Sequence, residues 1–128
     1  PGCSGDMAYI KAFEDILTPA AEWFQPDLIL VSAGFDTHWL DMAMNVSYDG
    51  FGAMAGHLQS LARRLCNGRI AFVLEGGYNL ESLSHGVHSV LSVLAGAQPV
   101  TPAICGYPEV EAAAAFHRDA FKAPDEQS

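Results

Sequence analysis

Positive charge is scarce in this chain: six lysines and arginines stand against fifteen aspartates and glutamates, for a formal net charge of -9. A nucleic-acid backbone is therefore not expected as a direct partner, because phosphate contacts need clustered cations. An acidic surface serves solubility and also suits cationic substrates. Cysteine is sparse as well. Cys3, Cys66 and Cys105 form no CxxC pair, so neither a zinc knuckle nor a disulfide framework is indicated, and a reducing, cytoplasmic setting is expected. No apolar run approaches the ~18 residues of a membrane span and no secretory leader is seen, so no membrane partner is expected. GxGxxG, a Walker lysine and a GxSxG elbow are all missing, which removes the nucleotide-binding and serine-hydrolase readings. Ser32, inside "VSAGF", reads instead as a buried, hydrogen-bonded core residue.

Half of the residues are apolar and 16% are charged, the composition of a globular domain or of a piece of one. Helical spacing of Met7, Ile10, Phe13, Ile16, Leu17, Ala20 and Phe24 predicts a helix over 5–24, with Ser4 as N-cap and Asp6 in the first turn. Pro19 should kink or split it, since it lacks an N–H and crowds the preceding turn. "DLILVSAGF", after Pro26, is apolar at almost every position and predicts a strand buried on both faces. Residues 37–46 read as a loop. Ser47 then caps a helix that ends at Asn67-Gly68. "RIAFVL", 69–74, predicts a second buried strand, and a helix follows from Asn79 to about Gly96. Beyond lies a proline-rich stretch with a weak helix at 109–122 and a frayed tail.

This order is a βαβ unit with flanking helices, hence a parallel strand pair. Two strands so apolar need further strands beside them and helices on both faces, so the chain reads as one end of a larger sheet. In open α/β sheets, ligands bind outside the carboxyl ends of the strands. Asp36 follows the first strand there and Tyr78 the second, and loops from neighbouring strands, about 5 Å apart, can share one pocket. Metal-assisted hydrolysis would use both: a carboxylate to hold a zinc ion and a phenol to stabilise a developing oxyanion. Gly76 and Gly77 would allow close backbone approach and an unusual φ. A catalytic zinc wants three protein ligands, and Asp36 is one. His38 reads either as a second ligand or as a loop residue that faces solvent or hydrogen-bonds Asp41. His85 and His88 lack zincin spacing and read as helix-surface residues. His57 and His117 read as isolated and exposed, and Glu75 as structural support.

"PGCSGDMAY", "PDLILVSAGFDTHWLD" and "LEGGYN", in this order and at these separations, resemble the histone deacetylase family, in particular its class II-like and bacterial members. The resemblance covers about residues 1–96, leaving 97–128 as a partly irregular extension. It implies the three-layer α/β/α arginase/deacetylase fold with a mainly parallel sheet, of which this chain is a C-terminal portion. It also implies zinc-dependent hydrolysis of acetyl-lysine or a related acetylated amine. Asp36 would be a zinc ligand, Tyr78 the group that polarises the amide carbonyl, and Gly76 and Gly77 the wall beside the acetyl group. The family's usual continuation to D-P-L is replaced here by Asp41-Met42-Ala43, which changes the lip of the substrate tunnel. The remaining zinc ligands and the histidine general base of the family have no counterpart in this chain, which begins at Pro1 and not at methionine. The expectation is an incomplete portion, inactive alone. An acetylpolyamine amidohydrolase and a non-catalytic binding remnant are the alternatives.

Overall fold

Two five-residue strands, β1 (Ile29–Ala33) and β2 (Ile70–Leu74), pair in parallel in the computed structural model, in register from Ile29 opposite Ile70 to Ala33 opposite Leu74. The structure describes residues 5–42, 44–100 and 108–118. Helix α3 (Tyr48–Cys66) joins the two strands, and α4 (Leu80–Leu94) follows β2. Ser47 caps α3 as expected, its hydroxyl oxygen accepting from the Gly50 N–H, and the helix ends at Asn67 and Gly68, both at positive φ. These are the crossover and the parallel pair that the alternation of elements predicts.

The helix over 6–24 is interrupted. α1 (Asp6–Ala12) runs into a π-helical turn at Phe13–Leu17, and α2 (Thr18–Phe24) then begins with Pro19 in its first turn. Leu17 and Thr18 keep right-handed helical angles, so the helix runs on into the proline, and the wider turn before it accommodates a residue that has no N–H to give. Ser4, the expected cap, lies outside the described residues. The N-cap of α1 is Gly5, which makes no side-chain bond. α5 (Pro108–Arg118) occupies part of the weak helical pattern, whose remainder also lies outside the described residues.

Phe35, Val46, Phe51, Ala55 and Val90 form the buried core, with Tyr9, Ala33, Phe72, Leu83 and Val87 packed against it. α3 and α4 therefore cover one face of the strand pair. The other face is bare: Leu30 is 66% exposed and Val73 49%, and Ser32 is exposed too. The strands are not buried on both faces, because no described element covers the second one. Ser32 is not a core residue, although it is hydrogen-bonded, donating to Glu75 Oε1 at 2.9 Å across the strand pair. His57, expected to be exposed, is half-buried in α3. Its Nε2 lies 2.8 Å from Thr18 Oγ1 and its ring meets Phe13 edge-on at 5.8 Å, because the π-helical turn packs against that side of α3.

Candidate functional site

Pairing continues past the ends of both strands. Glu75 N donates to Ala33 O at 3.1 Å, and Phe35 N donates to Gly76 O at 2.8 Å. These two bonds carry the chains side by side for one more residue pair and set Asp36 against Gly76. The contact is tight: a Cβ on Gly76 would stand 2.7 Å from Asp36 Oδ2, and one on Gly34 would stand 3.1 Å from Oδ1. Any side chain at 76 would displace the carboxylate. Gly77 has a different reason, with φ at +126° and Phe35 and Leu83 within about 3 Å of where a Cβ would be. The paired glycines thus leave room for Asp36 and then turn the chain to present Tyr78, which is 72% exposed.

The turn that carries Tyr78 is held from the opposite loop. Asp41 Oδ2 accepts the backbone N–H of Tyr78 at 2.7 Å and that of Asn79 at 2.9 Å. Asn79 in turn caps α4, its Oδ1 accepting from Glu81 N at 3.0 Å and Ser82 N at 3.1 Å. The loop 37–46 is itself shaped by Val46 N donating to Thr37 O and by Asp41 N donating to His38 O. Sequence reasoning placed Asp41 as a partner for His38 and as the end of the "PDLILVSAGFDTHWLD" motif, not as a support for the tyrosine turn. Its bonds to the tyrosine turn carry no local signal, because they depend on two loops meeting.

Tyr9, on α1, is a second residue the motif reading did not single out. Burial, and behind it the charge of Asp36, raises its phenol above the ordinary tyrosine value, so its hydroxyl feels the carboxylate. Its only trace in the sequence is its place at the end of "PGCSGDMAY". His38, by contrast, is buried and stacked on Tyr48, with ring centroids 4.4 Å apart and planes at 10°. Its Nδ1 accepts from Leu40 N, its Nε2 has no hydrogen-bond partner among the described residues, and burial lowers its pKa. It neither faces solvent nor bonds the Asp41 side chain. His85 and His88 are exposed on α4 and line an open cavity of about 300 Å³ with Tyr48 and Asp49.

Among the described residues, no three histidine, cysteine, aspartate or glutamate side chains converge as a metal cage. Asp36 offers one carboxylate in a cradle that two glycines keep open, so these residues by themselves make part of a zinc site and not a whole one. The chemistry that converges at this sheet edge is one potential ligand, one exposed phenol and a second tyrosine within reach of the ligand's charge.

The histone deacetylase domain matches residues 1–94. The chain is 47% identical over 98 residues to Histone deacetylase 14, chloroplastic, of Arabidopsis thaliana, covering 75% of this chain and 23% of that protein. It is 42% identical over 100 residues to Polyamine deacetylase HDAC10 of Mus musculus, covering 77% of this chain and 14% of that one. The solved structure of the histone deacetylase Clr3 superposes with a TM-score of 0.79 at 30% identity, covering 91% of this chain and 19% of that chain. The chain thus spans a quarter or less of the length of each of these relatives.

Proposed function

The chain belongs to the histone deacetylase family, and from that premise we propose that it supplies one wall of a zinc-dependent deacetylase active site. The substrate class is an acetyl-lysine amide or a related acetylated amine. The observation that carries the reading is the seating of Asp36 against the Gly76-Gly77-Tyr78 turn, where a Cβ at 76 would occupy the carboxylate's own space. In this reading Asp36 would hold the metal as one of its ligands. Bound there, the metal would lower the pKa of a water and polarise the amide carbonyl. Tyr78 contributes an O–H donor aimed at the carbonyl oxygen as charge develops on it. Its exposure, in a turn that neighbouring groups hold still, keeps the phenol open to a ligand entering from the sheet edge. Gly76 and Gly77 offer backbone that a small acyl group can approach closely. The other ligands and the general base would be supplied by residues that this chain does not contain.

The test uses the gene product purified as its own cells make it, with its metal content measured. Hydrolysis of an acetyl-lysine peptide that falls sharply in Tyr78→Phe supports the reading. Equal turnover in the two proteins would sink Tyr78's role and favour a non-catalytic binding module. A second substrate, acetylated polyamine, is favoured by the likeness to a polyamine deacetylase and by the net charge of -9. Comparing turnover of acetylated spermidine and of the peptide decides between them.

A further inference from the structure

We infer that Asp41 is a positioning residue for the Tyr78 phenol, an inference that rests on the deacetylase reading above. Tyr78 is 72% exposed and follows a glycine at φ +126° in a segment of irregular backbone. Its placement therefore depends on what holds its backbone. One carboxylate oxygen, Asp41 Oδ2, accepts both the Tyr78 and the Asn79 N–H groups. Those donors precede the first turn of α4, where a negative charge is also favoured by the helix dipole. Asp41 belongs to the loop that leaves Asp36, held by its own N–H to His38 O. The two parts of the site are thus joined twice: by the backbone bond between Phe35 and Gly76, and by this carboxylate. The first bond fixes Gly76 beside Asp36; the second fixes how far along and at what angle the phenol follows. A catalytic group displaced by about 1 Å can lose on the order of 100-fold in rate.

The test is a double-mutant cycle in the full native gene product, with Asp41→Ala, Asp41→Asn, Tyr78→Phe and the combination Asp41→Ala with Tyr78→Phe. Asp41→Ala should lower kcat roughly 10- to 100-fold with KM and metal content little changed. Asp41→Asn keeps an acceptor oxygen and should recover most of that loss. In the Tyr78→Phe background, Asp41→Ala should cost little more, because there is no longer a phenol to misplace. Hydrogen exchange of the segment 76–80 should quicken in Asp41→Ala and stay slow in Asp41→Asn. Full additivity with Tyr78→Phe, or unchanged exchange in Asp41→Ala, would overturn the inference while leaving the deacetylase reading intact. Wild-type protein that turns over neither acetylated substrate would overturn that reading and this role together. If Asp41→Ala does not fold, Asp41→Glu takes its place: it keeps the charge but sets the oxygen one methylene too far, and the same additivity overturns the role.

Discussion

At the scale of single residues, the site is governed by where a side chain is missing. Gly76→Ala places a carbon 2.7 Å from Asp36 Oδ2. The expected outcome is a carboxylate pushed out of line and a protein that retains less zinc, read by metal analysis of the purified gene product. Tyr78→Phe removes one O–H and nothing else. Its kcat should fall by about 100- to 1,000-fold, the range for loss of an oxyanion donor, with KM nearly constant in steady-state assays. Asp36 and Tyr78 were legible in the sequence because each follows a strand pattern and a glycine, and parallel strands bring their ends to one edge. Asp41 and Tyr9 were not, since each matters through a neighbour distant in the chain. His38 was legible only as a choice between roles, and burial against Tyr48 removes the solvent-facing one.

At the scale of elements, the helices are tied together by a few polar contacts. Asp6 accepts from both the N–H and the hydroxyl of Ser47, at 2.7 and 2.6 Å, and so fastens the start of α1 to the cap of α3. Asp6→Ala should destabilise the protein by about 1.5–3 kcal/mol, the range for hydrogen bonds to a charged group, seen as a lower urea midpoint with an unchanged slope. Its sequence position predicted a dipole role; the bond to Ser47 needed the fold. His57 joins the π-helical turn to α3, and burial holds its pKa below the usual histidine value. The unfolded chain then binds more protons between that lowered pKa and the ordinary ~6.5. Stability contributed this way is full above pH ~6.5 and is lost as pH falls through the window down to the folded pKa. His57→Gln should flatten that part of the stability-pH curve. A slope that persists unchanged in the variant would assign it to other groups.

At the scale of the whole molecule, the dominant feature is a strand pair with one covered face and one bare face. Leu30, Val73, Leu28 at 54% exposure and Phe24 at 71% lie in the open, more apolar surface than a lone small domain usually shows. A polypeptide of these 128 residues alone should therefore bind an apolar dye such as ANS, self-associate as concentration rises, and hydrolyse no acetylated amine. Light scattering and the dye titration check the first two. A clean monomer without dye binding, or measurable turnover by this polypeptide, would contradict the picture of a partial sheet and a partial ligand set.

The sequence by itself determined the βαβ order, the parallel pairing, the cap at Ser47, the stop at Asn67-Gly68 and the interruption at Pro19. Those follow from hydrophobic period, turn chemistry and a missing N–H, all of which act over a few residues. It also determined that Asp36 and Tyr78 share an edge, because strand direction requires it. Only the tertiary structure decided which sheet face is covered, that Gly76 yields its space to Asp36, and that Asp41 holds the Tyr78 turn. It also decided that His38 is stacked in the interior and His57 tied to α2. Each of these depends on two segments far apart in the chain meeting at hydrogen-bond or van der Waals distance, and local periodicity carries no record of such a meeting.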